Sequence, residues 1–501
     1  MSESSEEVVL PAPGATPAAA DSASVAPPAR PAQAAAAKYD RSIVEGPLGA
    51  AVWRIAWPTM LQNTIGGLQG IIDHVMVGHY VGYAGNAAIG VAWQIFLVVI
   101  VFVSSLFTGM SVLVARFAGA GDVDRVNRTV YQAFLAAVAL AFGVLAPLGY
   151  VLAPSLLTLV HAAPEVRAQA LPFLRIMFVY SIGMLLFFML GGALRSAGDA
   201  RTPLRLGIVV TVLNIALNFV LIRGLGPIPA FGTAGSAMGT VIAMGGVAAF
   251  ALVQLSRGVW VVRFPAGASL RPEWSVIRAL FRFGLPAGMQ GIAMNVAGVL
   301  LLGFIGSLPQ SAEAQAAYAV AYTELFSLVT WTSVGLMGAA ATVAGQNLGS
   351  GQPERATRAV HAAARIALAG AGTIGVLFLL APRLLLSVFG MTDAVVVALG
   401  VQLLQYLSIS GLFIAVALTY TGGLQGTGDT RSPLYISIVS QGVVPIGICW
   451  ILQQTGTLTA ADIWRAILLG HITRCLLSVM RFRQGQWRHI AVDIDSRGRR
   501  G

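Results

Sequence analysis

The chain has 501 residues, 56% of them hydrophobic and 10% charged, with a mean hydropathy of +0.78. Soluble domains carry about 25% charged residues, so the composition excludes a soluble enzyme or binding domain and points to a polytopic membrane protein. The net charge of +11 would suit a nucleic-acid binder, but the cations fall in short clusters between apolar runs. That is the pattern of loops facing anionic lipid, and no nucleic-acid partner is expected.

Taken from the start, the opening MSESSEEVVL is acidic and no apolar core follows it, which argues against a signal peptide. Residues 1–44 are rich in Ala, Pro and Ser and are expected to form a disordered cytoplasmic tail. Twelve segments near or above the ~20 apolar residues of a bilayer crossing follow. Their limits are 50–80, 86–116, 126–152, 165–195, 203–223, 233–256, 274–305, 313–346, 355–381, 394–426, 432–454 and 461–482. Backbone groups in lipid must be bonded internally, and no period-2 alternation is present, so the spans are helices. Lys and Arg concentrate in alternate loops, at Arg116, Arg125 and Arg128, at Arg195, Arg201 and Arg205, at Arg257 to Arg282, and at Arg355, Arg358 and Arg365. Lys38, Arg41, Arg481, Arg483 and Arg488 make both ends basic too. The positive-inside rule then places both termini in the cytoplasm. Cys449 and Cys475 lie in apolar segments without metal or redox spacing and read as packing residues.

The chain repeats itself. GALRSAGDARTPL at 192–204 matches GGLQGTGDTRSPL at 422–434, pairing Asp199 with Asp429 at an offset of 230. The same offset pairs Gly119, Gly121, Arg125 and Arg128 with Gly349, Gly351, Arg355 and Arg358, and Pro58 pairs with Pro286 at 228. Six helices per half is an even number, so the halves insert the same way and a pseudo-twofold axis along the membrane normal relates them. The expected fold is all-α. It has an N-terminal six-helix bundle at 45–256, a cytoplasmic linker at 257–273, a C-terminal six-helix bundle at 274–484 and a cytoplasmic tail at 485–501. The GDxRxPL element reads as a structural turn, with Gly198 and Gly428 at helix C-caps and Pro203 and Pro433 in first turns.

The first span carries Asp73. A carboxylate at membrane depth costs about 2.5–3.5 kcal/mol on insertion scales, so it is paired, faces water, or works. One reading makes it a boundary residue helped by His74 and His79; the other makes it a proton or cation site, since desolvation favours the neutral acid. The topology puts Asp73, Asn214, Asn218 and Thr240 at similar depth in the outer half of the first bundle, with Asn214 and Asn218 four apart on one helix face. Together they offer oxygen ligands to a hard cation such as sodium, or hydrogen-bond partners to a protonated acid. Singly, each Asn also suits interhelical bonding.

Glu324 is the second embedded acid, placed to line a cavity or to pair locally. His161 and His471 are expected at boundaries, and Arg474 is expected to snorkel towards Arg481. Met76, Met110, Met184, Met189, Met238, Met289, Met294, Met337, Phe187, Phe188 and Trp331 are packing residues or, where they face a cavity, an adaptable apolar lining. No Walker loop, HExxH or nucleophile elbow occurs, so the chain does not read as an enzyme and neither ATP nor a cofactor is expected.

The chain resembles the multidrug and toxic compound extrusion (MATE) family over roughly residues 45–485. The resemblance rests on IIDHVMVGHYVG, on ARFAGAGDVDRVNR and its partner AGQNLGSGQPERATR, on GDARTPL, and on LNIALNFVLI. It implies two six-helix bundles in a V and export of small organic compounds from the cell, driven by protons or sodium across the inner membrane, by a monomer. By position, Asp73, Asn214 and Thr240 look like members of the family's N-half cation site. Asn218 stands where many relatives have a second aspartate, a departure that bears on sodium coordination and on the usual coupling. The helix 7 acid of another branch has no match, since Met294 falls near there, which favours coupling through the N-half. Two alternatives stand beside this reading. A lipid-linked glycan flippase of the same superfamily needs cavity cations for a pyrophosphate. An integral membrane transferase needs paired acids for a metal-bound diphosphate.

Overall fold

The computed structural model describes residues 39–492 and 494, apart from 266 and 268. Among the described residues twelve long helices run in chain order: α1 Leu48–Tyr80, α2 Tyr83–Gly119, α3 Val123–Leu159, α4 Pro164–Val179 continuing as Ile182–Ser196, α5 Arg201–Arg223, α6 Thr233–Ser256, α7 Trp274–Gly306, α8 Ser311–Gly349, α9 Pro353–Leu380, α10 Ala394–Thr427, α11 Arg431–Gln454 and α12 Ala460–Arg483. Ten of these are long and apolar enough to cross a membrane unaided, and α4, bent by 53° at its break, makes an eleventh. The other is α1, whose Gln62, Asn63, Gln69, Asp73 and His74 dilute its apolar character although its 33 residues span about 50 Å. Wide π turns interrupt α3 at Ala141–Leu145, α8 at Ala319–Leu325 and α11 at Ile438–Val443.

Each half builds its own apolar core, and each core borrows from the other half. Val276, Leu280 and Phe283, at the start of α7, are buried in the N-half core. Val52, Ile55 and Ala56, at the start of α1, are buried in the C-half core. The exchange is reciprocal, since Val52 and Ile55 correspond to Leu280 and Phe283 at the 228-residue offset. It occurs on the side that carries both chain ends, the terminus side.

The halves touch most closely there. A Cβ on Gly119 would lie 1.9 Å from the Gln346 carbonyl oxygen, and one on Gly349 would lie 2.0 Å from that of Arg116. Arg116 and Gly119 are the 230-residue counterparts of Gln346 and Gly349, so the pseudo-twofold axis passes between these two contacts. Gly109 against the Leu280 carbonyl and Gly284 against that of Ser105 repeat the device one step higher. Gln346 Nε2 adds a hydrogen bond to the Ser196 carbonyl at 2.7 Å.

The GDxRxPL elements are turns. Gly198 and Gly428 adopt φ of +103° and +106°, a backbone that glycine adopts without strain. Asp199 Oδ1 accepts from the backbone N–H groups of Arg201 (3.1 Å) and Thr202 (3.0 Å). Asp429 caps Ser432 in the same way and also accepts from Arg481 Nε at 2.9 Å.

The expectation of a disordered tail through residue 44 is corrected for its last residues; 1–38 lie outside the described residues. Ser42–Glu45 forms a helical turn, Ile43 is fully buried, and Asp40 pairs with Arg54. Asn347 Nδ2 donates to the Ile43 carbonyl at 3.3 Å, and the Arg355 guanidinium donates to that of Gly46. An apolar isoleucine with a place in the C-half core outweighs the polar composition before it. The other chain end is also seated: Trp487 is buried, stacks on Phe482 at 4.8 Å and donates to its carbonyl at 2.8 Å.

Native Cys449 and Cys475 are buried, so introduced thiols report topology cleanly. Gln310→Cys, exposed between α7 and α8, is expected to react with an impermeant maleimide on intact cells. Gln352→Cys, between α8 and α9, is expected to react only after permeabilisation. The reverse pattern would invert the orientation.

Candidate functional site

The site lies in the N-half, away from the terminus side. On α1, Gln69 and Asp73 are one turn apart and share a face. On α5, Asn214 and Asn218 do the same, and both are fully buried. On α6, Ser236, Gly239 and Thr240 complete the wall. A Cβ on Gly239 would lie 2.0 Å from Asn218 Oδ1, so α6 approaches the Asn218 amide only because residue 239 has no side chain.

These helices bring the four sequence-predicted residues together. Asn218 Nδ2 donates to Asp73 Oδ1 at 2.7 Å. The Asn214 amide is best satisfied with its nitrogen 3.1 Å from the same Asp73 oxygen and its Oδ1 accepting from Thr240 Oγ1 at 3.1 Å. Thr240 Oγ1 also reaches the Ser236 carbonyl at 3.1 Å. One carboxylate oxygen thus accepts from two buried amides, the pattern that holds an embedded acid in place. Asn218 Oδ1 is buried without a partner among the described residues.

Asp73 itself is half-buried and lines a cavity of about 570 Å³ between the halves. Gln69, His74 and Thr240 line it beside Asp73, and Trp93, Phe173, Phe187, Phe188, Met244 and Trp331 form its apolar wall. Trp331 comes from α8, so the C-half supplies one side. A second cavity of about 400 Å³ adjoins it towards the terminus side and shares Asn63, Phe188 and Val334 with it. Thr59, Ser111, Arg195, Thr342 and Gln425 supply polar groups there. Arg195 is the one Lys or Arg among the residues lining either cavity, and it donates to Gln62 Oε1 at 3.1 Å.

Two sequence expectations need correction. Glu324, expected to line a cavity or pair locally, sits in the wide turn Ala319–Leu325 and lines neither of these cavities. The turn's extra residue rotates the helix face, which a 3.6-residue period does not anticipate. Arg195, grouped with the loop cations, instead faces the cavity from the last turn of α4. The sequence reading also passed over Gln69 and Thr211, whose hydroxyl donates to Gln69 Oε1 at 2.9 Å. The spacing of Gln69 one turn before Asp73 was the available signal. Among the described residues no group of three or more His, Cys, Asp or Glu is arranged to hold a metal.

The MatE family model matches residues 58–220 and 286–451, two stretches that start 228 residues apart, one in each bundle. The chain belongs to the MATE family. A probable multidrug resistance protein NorM of Thermotoga maritima is 25% identical over 442 residues, covering 88% of this chain and 93% of the relative. The multidrug resistance protein MdtK of Pectobacterium atrosepticum is 26% identical over 439 residues, 86% and 94% of the two chains. Among solved structures, an outward-facing multidrug resistance MATE family transporter of the MOP superfamily superposes with a TM-score of 0.82 at 21% identity, covering 90% of this chain and 98% of that one. A MOP superfamily transporter from Pyrococcus furiosus, described as having a binding pocket of reverse polarity, gives the same score, identity and coverage. At that identity the structures establish the fold. This MATE transporter is therefore a multi-pass membrane protein and not an enzyme.

The Asp73–Asn218 contact is testable on its own. Hydrogen bonds between membrane helices contribute about 1–2 kcal/mol in model peptides and less in whole proteins. Asn218→Ala is expected to lower thermal stability by an amount in that range. In a double-mutant cycle with Asp73→Asn the losses should be clearly non-additive, as for groups in one network. Additive losses would show that the two side chains do not act together.

Proposed function

We propose that this MATE transporter is a secondary active antiporter. It exports amphipathic organic compounds from the cytoplasm in exchange for protons, with both termini cytoplasmic and the central cavity opening outward. The observation that carries the reading is the two-sided setting of Asp73. One carboxylate oxygen is tied to the Asn218 and Asn214 amides, while the side chain borders an aromatic cavity large enough for a drug-sized ligand.

The arrangement supports competition between substrate and ion. An ionised Asp73 attracts a cationic head group, and the rings of Trp93, Phe187, Phe188 and Trp331 accept the apolar body. A protonated Asp73 loses that attraction and becomes a donor. Asn218, whose Oδ1 has no partner, can then turn its amide and accept from the acid. Protonation from the outer side thereby releases the substrate and reorders the contacts of α5 with α1. Sodium fits this arrangement less well, because the site offers a single carboxylate and so a weaker field than a pair of acids would give.

The flippase alternative is weaker. A pyrophosphate needs several cations, and the cavities offer Arg195 alone, already bonded to Gln62. The preferred substrates are amphipathic organic cations and neutral aromatics, and strict preference for an anionic substrate would overturn this reading.

Efflux from proteoliposomes under a proton gradient, then under a sodium gradient, tests the mechanism. Asp73→Asn should abolish gradient-driven efflux, down to the level of protein-free vesicles, while the protein folds and retains much of its substrate binding. Asn218→Asp should move coupling towards sodium by adding a carboxylate. Efflux by Asp73→Asn at the parental rate under either gradient would place the coupling group elsewhere.

A further inference from the structure

α12 carries His471 and Arg474, each 2% exposed. At 1.5 Å per residue, Arg474 lies about 14 Å along the helix from Arg483 and about 21 Å from Ala460, well inside the ~30 Å hydrocarbon layer. This corrects the expectation of a boundary His471 and a snorkelling Arg474. The structure instead turns both into the C-terminal bundle.

Among the described residues the buried Arg474 guanidinium has no counter-charge. Among the described residues, no group accepts a hydrogen bond from it and no carboxylate comes within ion-pair distance. The acids nearest in sequence or on adjoining elements are committed elsewhere, Asp429 to Arg481, Asp462 to Arg465 and Glu354 to Arg488. Glu324, on the wide turn of α8, makes no ion pair among the described residues. An uncompensated charge buried in a bundle is among the costliest arrangements a fold can hold.

The surrounding groups share one chemical bias. The buried atoms without a partner include Arg474 Nε, Trp464 Nε1 and Gln441 Nε2, which can only donate. Ser440 Oγ, Ser478 Oγ and His471 Nδ1, also unpartnered, can donate as well as accept. Trp464, His471, Arg474 and Ser478 recur at helical spacing on one face of α12. Ser440 and Gln441 lie in the wide turn of α11, which packs on that face, with the Ser440 carbonyl against Gly470. Tyr322, on the wide turn of α8, stacks with Phe326, whose ring in turn lies against His471. An aromatic stack of Trp464, Tyr318, Tyr322, Phe326 and His471, with ring centroids 4.8 to 6.2 Å apart, closes one side.

We infer that the C-terminal bundle binds a small monovalent anion of the chloride type at Arg474, beside His471 and the hydroxyls of Ser440 and Ser478. Water could satisfy the hydroxyls, but water does not neutralise a guanidinium. An anion does both, and it ties α12 to the wide turn of α11. This site is separate from the Asp73 cavity, and the inference does not depend on which ion drives transport.

Anion binding to the folded state stabilises it by mass action. The purified full-length transporter, melted at constant ionic strength with chloride replaced stepwise by gluconate, should lose stability as chloride falls. Bromide should restore it, and bromide-soaked crystals should show an anomalous peak beside Arg474. Arg474→Leu removes the charge together with the need for a counter-ion and should melt at a temperature indifferent to the halide. Arg474→Lys should keep the dependence. If Arg474→Leu does not fold, Ser440→Ala, which removes one hydroxyl, should raise the chloride concentration needed for half of the stabilisation. Equal melting temperatures in chloride and gluconate would overturn the proposal, as would a halide response that survives in Arg474→Leu, or crystals with no bromide peak at Arg474.

Discussion

The architecture depends on a pair of backbone contacts near the chain ends. Gly119 lies against the Gln346 carbonyl, and Gly349 lies against that of Arg116. In lipid, helices gain little from burying apolar surface against one another, so close packing of small residues has to hold the halves together. Because these contacts, with those of Gly109 and Gly284, sit towards the terminus side, the halves are pinned at one end. The space between them beyond those contacts becomes the central cavity. Val52 and Ile55 entering one core, while Leu280 and Phe283 enter the other, make the pin mutual. The seated segments around Ile43 and Trp487 reinforce the same end.

The two halves share a backbone plan and have diverged in chemistry. At the repeat offsets, Asp73 corresponds to Leu301, Asn214 to Val444, Asn218 to Ile448 and Thr240 to Gly470. The N-half therefore embeds a carboxylate with its amide donors where the C-half is apolar. Conversely, His471 and Arg474 correspond to Val241 and Met244. A carboxylate with N–H donors and a guanidinium without acceptors pose opposite electrostatic problems, and the bundles solve them at different places. This separation follows from the cost of charge in a bilayer: each embedded ionisable group needs its own solvation.

Much of this was legible in the sequence. The twelve helices and most of their limits followed from apolar length, because a bilayer admits few alternatives for a backbone. The halves were visible because GDARTPL and GDTRSPL preserve turn chemistry that the fold still uses. The association of Asp73 with Asn214, Asn218 and Thr240 was also within reach. Position along a helix converts directly into depth at a fixed rise per residue, and four groups at one depth in one bundle have few places to go.

What the sequence did not settle is direction around each helix axis. Arg195 looked like a loop cation and faces the cavity. Arg474 looked able to snorkel and points inward. Glu324 looked placed to line a cavity or to pair locally and lines neither cavity, because a wide turn shifts the helical phase at its position. Residues 39–44 looked like the end of a tail and are folded, because Ile43 finds a pocket formed by residues far away in the chain. The sequence by itself determined the number of long helices, their lengths and the repeat, since all of these follow from local periodicity and the thickness of the bilayer. Only the tertiary structure decided which polar groups face the cavity, a neighbouring helix or each other, because rotation about a helix axis is set by packing between segments hundreds of residues apart.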